Sequence, residues 1–441
     1  MNRHAIHSNR TVTPRGIFDT TLLIEDGLIT MMVDDYTDDF DCPVEDVGDL
    51  VLMPGIVDSH VHINDPGTNW EGFDTATKAA AAGGITTLID MPLNSLPVTT
   101  DVDAFKSKID ASTGKLNVDC GFWGGIVPDN ADKLADLLQS GVLGIKAFLI
   151  DSGLKEFPGV NESDLRKGMK AIAESGLPLL VHSELNTGNE TAIVNNYPEL
   201  LASRPRKWEN DAIALLIQLC EEYNCKTHIV HLSSSESIEQ IAAAKSRGLP
   251  LTAETCPHYL YFNSEDIPAD DTAFKCAPPI REKENNELLW EAIKEEIIDL
   301  VVTDHSPAPP ELKAKSYNEA WGGIASLQFS LPIFWTVAEK HGLTLENVSA
   351  LMCEKPAVLA GVGNRKGKIG VGYQADFCIW DPDGEFTVNE SMIEHRHKIT
   401  PYLGEKLRGV VKQTYLRGEK IYDNGAFVSL AQGEIILAEN S

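Results

Sequence analysis

The sequence is short of positive charge, of paired cysteines and of long apolar runs, and each shortage closes off a class of function. Lysine and arginine total 37 against 66 acidic side chains, a formal charge of −29. Phosphate backbones and anionic lipid surfaces are bound by clustered positive charge, so no nucleic-acid and no membrane partner is expected. No stretch approaches the roughly 18 uninterrupted apolar residues of a membrane span. The start, MNRHAIHSNRTV, lacks the apolar core of a secretory signal. The eight cysteines are scattered with no CxxC pair and no zinc-finger spacing, and read as reduced thiols packed as small apolar groups. No GxGxxG fingerprint or GxxxxGK[ST] loop follows any predicted strand, so no dinucleotide or P-loop nucleotide site is indicated. A cytoplasmic enzyme is the expectation.

What is present is a chain of 441 residues, 43% hydrophobic, with material for a large core. From residue 53 to 370, eight short apolar runs alternate with longer, charge-bearing helical stretches. The runs are GIVDSHVHI, TTLIDMPL, VDCGFWGG, LGIKAFLI, PLLVHSE, THIVHLSS, LTAETCPHY and DLVVTDHSP. Helices are expected over Asp74–Gly83, Ser163–Glu174, Trp208–Tyr223 and Ser235–Arg247. Eight near-continuous apolar strands separated by helices predict an α/β fold, a (β/α)8 TIM-like barrel over 53–370. An open doubly wound sheet rarely carries eight such units. The ends differ in texture. Residues 17–33 hold two β-like runs joined at Asp26-Gly27, and the C-terminal part shows short strands with turns expected at Asp381-Pro382 and Asn424-Gly425. Neither end can build a sheet alone, so 1–52 and 371–441 are expected to form one small composite β-sandwich domain. The acidic residues from Asp34 to Asp41 read as solvated loop surface.

His60 and His62 stand two apart in DSHVH. On a strand, residues i and i+2 face the same way, which puts both imidazoles on one side of the carboxyl end of the first strand. That end carries the active site in barrels. Such a pair is either metal-binding or a polar cluster of a mouth loop. Four more residues favour the metal: Lys146 follows LGI, His182 follows PLLV, His231 follows THIV and Asp304 follows DLVVT. Each is a polar group at the end of an apolar strand, where burial without a partner is costly. Four imidazoles and a carboxylate suit two borderline divalent cations, zinc first, with cobalt, manganese, iron or nickel also compatible. An ammonium cannot ligate, so Lys146 is expected to be neutral or, after addition of CO2, an N-carboxylate whose oxygens bridge the two ions. His228 is expected to face the helices, His305 to point away from Asp304, and His258 to be structural or to support a ligand. His4, His7, His341, His395 and His397 fall in terminal or surface-like segments.

These residues resemble the amidohydrolase superfamily, in its cyclic-amide branch of dihydroorotases, hydantoinases and allantoinases. The resemblance spans nearly the whole chain: MPGIVDSHVH, GITTLIDMPLNS, GIKAFL, LLVHSE, HIVHLSS, ETCPHYL, PPIR, VTDHSP and EKPAVLAG…KGKIGVGYQADF. It implies one ion on His60, His62 and Asp304, another on His182 and His231, and a carboxylated Lys146 between them. It also implies a homo-oligomer, a homotetramer. Dihydroorotases grip the substrate carboxylate with an arginine where this chain has Asn64, and with an asparagine where it has Ala277. SRPRKWENDAI, AWGGIASLQ and TPYLGEKLRG look instead like the allantoinases. The loop Asp65-Pro66-Gly67-Thr68-Asn69 before Trp70 is one residue shorter than theirs. The implied activity is hydrolysis of the ring amide of allantoin to allantoate, with Asp304 taking a proton from water and returning it to the departing nitrogen. Asn94 and Ser306 are the expected substrate hydrogen-bonders, and Gly322 and Gly323 are expected to let backbone approach the ligand or to make a turn. A hydantoinase or dihydropyrimidinase is the near alternative, and a dihydroorotase-like enzyme shares the branch. A non-catalytic scaffold on the same fold is the distant alternative, and retention of every ligand residue argues against it.

Overall fold

The computed structural model describes residues 3–186, 193–429 and 432–439. The eight apolar runs all carry parallel strands: Ile56–Val61, Ile85–Asp90, Asp119–Phe122 continued by Gly124–Gly125, Ile145–Phe148, Leu179–His182, Thr227–Ile229, Leu251–Thr255 and Leu300–Val301. Their ladders form an arc of three strands and an arc of six. The arcs meet in the third strand, where the chain runs from Phe122 through Trp123 into Gly124. On the other side Val61 and His305 form a parallel bridge, and the His62 N–H donates to the His305 carbonyl at 2.8 Å. The ring of strands is thereby completed as the expected barrel.

The intervening helices follow from local signals. Glu162–Ser175 starts at a capping box between Asn161 and Asp164 and ends at Gly176, whose φ of 69° is open to glycine without strain. It buries Leu165, Met169 and Ile172, spaced four and three apart, against the barrel. No helix among the described residues is long and apolar enough to cross a membrane.

Both chain ends contribute to one nine-stranded sheet. Its hairpin turns at Asp26 and Gly27, with φ of 50° and 83°, and a second at Asn424 and Gly425, with φ of 46° and 92°. Both are the left-handed geometry that two-residue hairpins need. The turn expected at Asp381-Pro382 does not form. One strand, Phe377–Thr387, runs through it, and the register shifts between Asp381 and Glu385. Asp381 Oδ1 accepts the N–H groups of Asp383 and Gly384, each at 3.1 Å. The turn chemistry is therefore spent on a bulge in the middle of a strand. Asp34, Asp35, Asp38, Asp39 and Asp41 are exposed. Residues 432–439 leave this sheet and lie on the barrel, where Cys120 N–H donates to Glu434 and Ile436 N–H to Cys120, both at 2.9 Å.

His7 and His395 are buried, against the surface reading of their segments. His7 bridges Asp46 through Nδ1 at 2.8 Å and Asp19 through Nε2 at 2.7 Å. Burial works against its charged form, but the two carboxylates outweigh it and its pKa is raised. A raised folded-state pKa gives stability that is full below the unfolded value and is lost as pH climbs through the folded one. His7→Gln is therefore expected to lower Tm more at about pH 5.5 than at about pH 9. An equal loss at both would show the imidazole to be neutral.

Candidate metal centre

The polar strand ends converge at the carboxyl mouth of the barrel. His60 Nε2 lies 3.1 Å and His62 Nε2 3.3 Å from the same oxygen, Oδ1 of Asp304. One ligand atom from each residue fits within 4.8 Å of the others, and all three residues are buried. His182 and His231 stand beside them. Their rings meet edge to face with centroids 4.6 Å apart, and His231 is 5.4 Å from His60. Lys146 lies on the strand beside that of His182, paired with Leu180. Its Nζ is fully buried, 5.0 Å from the Phe148 ring centroid, and has no hydrogen-bond partner. Burial lowers its pKa to about 8.

Backbone conformation explains how strand ends aim these groups. Asn64, Asn94, His231 and Asp304 all have positive φ, at 62°, 66°, 39° and 45°. Asn and Asp enter this region at modest cost, but for His231 it is an unusual conformation held by its surroundings. It also overturns the expected direction of His228. The strand ends at Ile229, so the period of two stops before His231, and His228 faces inward too. Its Nδ1 meets Thr252 Oγ1 at 2.7 Å and its Nε2 meets Glu254 Oε2 at 2.9 Å.

Glu254, absent from the expected site, organises one half of it. Its Oε1 pairs with His60 Nδ1 and accepts the His231 N–H at 3.2 Å. Burial pushes its pKa up, but His60 and His228 bring it down to about 2. A carboxylate on Nδ1 fixes the His60 tautomer that presents Nε2 as a lone pair. Glu184 does the same for His182, meeting Nε2 at 2.6 Å and leaving Nδ1 for a ligand. Arg204 clamps Glu184 from Nε at 3.0 Å and Nη2 at 2.6 Å. The signal for both carboxylates was in the sequence: a glutamate inside a buried strand and another two residues after His182.

Asn94 and Ser306, the expected substrate contacts, reach the same cavity of about 340 Å3. The Asn94 amide nitrogen is 3.2 Å from His62 Nδ1, and its oxygen is buried without a partner. Ser306 Oγ accepts the Trp321 indole N–H at 3.3 Å. Trp321 in turn meets Trp70 edge to face at 4.6 Å. Gly323 serves packing: a Cβ there would sit 2.4 Å from the Ser306 carbonyl oxygen, whereas Gly322 borders open space. His305 turns away from the cavity as expected, accepting the Ser326 N–H on Nδ1 at 3.1 Å. His258 is buried.

The residues fit a cation-binding role. A buried amine and the buried Nδ1 of His231 lack protein partners, beside a carboxylate oxygen that the Nε2 atoms of two imidazoles face.

Comparison with known proteins agrees. The model of the amidohydrolase family matches residues 51–421. An allantoinase of Streptomyces avermitilis is 47% identical, with 96% of each chain covered. One of Arabidopsis thaliana is 44% identical over 98% of this chain and 90% of that one. The solved L-hydantoinase (dihydropyrimidinase) of Arthrobacter aurescens superposes with a TM-score of 0.92 at 31% identity, covering 99% of this chain and all of that one (100%). The chain belongs to the amidohydrolase family and, within it, to the allantoinases.

Proposed function

We propose that this chain hydrolyses the ring amide of allantoin to allantoate. The observation that carries the choice of substrate is the state of the cations at the cavity wall. Arg204 is committed to Glu184. Lys275 gives its protons to the carbonyls of Tyr317, Asn318 and Ala320 at 2.7, 3.1 and 2.7 Å. Asn64 donates to the Pro307 carbonyl at 3.3 Å, and Ala277 offers no polar group. Among the described residues, then, the lysine and arginine that line the cavity, Lys275 and Arg204, both have protein partners, and the unpartnered Lys146 is buried and does not line it. A neutral ring amide suits this wall, with the Asn94 oxygen and the Ser306 hydroxyl left to meet a ureido group.

His60, His62 and Asp304 would hold one divalent cation and His182 and His231 a second, zinc being the best match to the donor set. Lys146 would join them as an N-carboxylate, formed when its neutral amine adds to CO2 and loses a proton. Bound cations supply Lewis acidity toward the ring carbonyl and lower the pKa of water. Asp304 accepts the proton of the attacking water and delivers it to the ring nitrogen as the C–N bond breaks. Asn94 holds the His62 ring, and Trp70 with Trp321 screens the mouth. Residues 1–52 and 371–441 would act as a separate supporting domain, in a cytoplasmic homotetramer.

The likeness to a hydantoinase structure favours a second reading, a hydantoinase or dihydropyrimidinase. A panel of allantoin, hydantoin, dihydrouracil and dihydroorotate separates the two. A site built to bond a ureido tail rejects a ring lacking it by roughly 10⁴ in kcat/KM. Allantoin is expected to lead by a wide margin and dihydroorotate to show no turnover. Faster turnover of dihydrouracil or dihydroorotate would overturn the assignment.

A further inference from the structure

Two ion pairs, one buried and one with its arginine half-buried at the cavity wall, support the histidines of the second cation position and touch neither His60 nor His62. The first is Glu184 with Arg204, already seen to fix the His182 tautomer. The second is Glu209 with Arg281, Oε2 to Nη2 at 2.8 Å, both side chains 2% exposed. Glu209 Oε1 accepts the N–H groups of Ser233 and Ser234, at 3.0 and 3.1 Å, in the turn directly after His231. The pairs are linked. Arg281 donates from Nη1 and Nη2 to the Arg204 carbonyl, both at 3.4 Å. The Leu185 N–H, next to Glu184, donates to the Trp208 carbonyl at 3.0 Å. Residues 204–209 thus reach the chain just beyond His182 with one end and the chain just beyond His231 with the other. This is the SRPRKWENDAI stretch, and Arg281 closes PPIR, so two motifs with no part in the chemistry acquire one.

We propose that residues 204–209, together with Arg281, are a positioning frame for the second cation position and decide whether that position fills. His182 and His231 come from different strands and share no hydrogen bond in the structure. A cation between them needs Nδ1 of His182 presented and the His231 turn held at its unusual φ of 39°. Glu184 meets the first need and Glu209 the second. The position of His60, His62 and Asp304 has its own supports in Asn94 on His62 and Glu254 on His60, and Glu254 also accepts the His231 N–H. Buried ion pairs add little net stability, but breaking one leaves an uncompensated charge, so the geometry they set is held firmly.

The proposal rests on the two-cation reading above. The test is metal content and stepwise Co(II) titration, followed by visible absorption, of the wild type, Arg204→Gln and Glu209→Gln. The wild type is expected to hold two cations per chain. Each variant is expected to retain one and to bind the second about 10- to 100-fold more weakly. Arg204→Lys keeps the charge beside Glu184 without the paired hydrogen bonds, and is expected to be intermediate; it carries the test if a glutamine variant fails to fold. Wild-type affinity for both cations in the variants, or equal loss of both, overturns the frame. A wild type that holds one cation overturns the two-cation reading instead, and the frame with it.

Discussion

Lys146→Ala is expected to purify with neither cation at full occupancy and with no measurable hydrolysis of allantoin. The argument is a count of charge. The side chains that face one another at the mouth are four imidazoles and one carboxylate, and under the proposed function they would face two dications. A plain lysine adds nothing, and as an ammonium it would add repulsion. As an N-carboxylate it adds a negative charge and two oxygens at the point where the two groups of ligands meet. Its Nζ is buried with no protein partner, so no ion pair competes for it. Alanine removes the bridge and leaves a cavity about the size of a short carboxylic acid. Acetate or propionate is therefore expected to restore part of both metal content and activity, which a misfolded variant would not allow. Metal analysis of the variant, with and without added acid, checks the result. Two cations per chain in Lys146→Ala without added acid would remove the bridging role.

Much of this centre was legible because strand geometry is local. His60 and His62 share a face by the period of two, and Lys146, His182 and Asp304 stand out as polar groups closing apolar runs. The same rule misdirected His228. It presumes that the strand continues, whereas the chain leaves extended geometry after Ile229 and His231 is aimed by a left-handed turn. The supporting groups were harder to read for a different reason. Glu254 is 194 residues from His60 in sequence and Glu184 is 20 from Arg204, and no local pattern pairs residues so separated. His7 and His395 look like surface positions in their own segments. His7 is buried among Asp19, Tyr36 and Asp46 of the N-terminal part, and His395 against His305 of the barrel, contacts that no local pattern shows. Asp381-Pro382 carries turn residues, yet the sheet overrides them, because one irregularity costs less than giving up the pairing of Glu385, Phe386 and Thr387 with Arg408, Leu407 and Lys406.

Asp304→Asn is expected to keep the fold and much of the metal while kcat falls by about 10²- to 10⁴-fold, the usual share of general acid–base catalysis. An amide oxygen can still face His60 and His62 but cannot take up a proton. Among the described residues, three carboxylates border the cavity: Asp151, Glu319 and Asp304. Asp151 accepts the Gly153 N–H at 3.0 Å and Glu319 accepts the Ser316 hydroxyl at 2.9 Å, and neither contacts a ligand imidazole. Glu254 is spent on His60, His228 and His231. Asp58 gives its Oδ1 to the His60 and Thr303 N–H groups, at 3.1 and 3.3 Å, and does not border the cavity. Among the described residues, then, no substitute base stands where Asp304 does. Burial works to raise its pKa, but the imidazoles of His60, His62 and His231 hold it well below the carboxylate range, so it is ionised. Because the same group returns the proton to the departing nitrogen, its loss should reach kcat and kcat/KM alike and leave KM little changed. Steady-state kinetics on samples of matched metal content test this. A variant within about tenfold of wild type, below the ordinary reach of a general base, would place the proton transfer on another group.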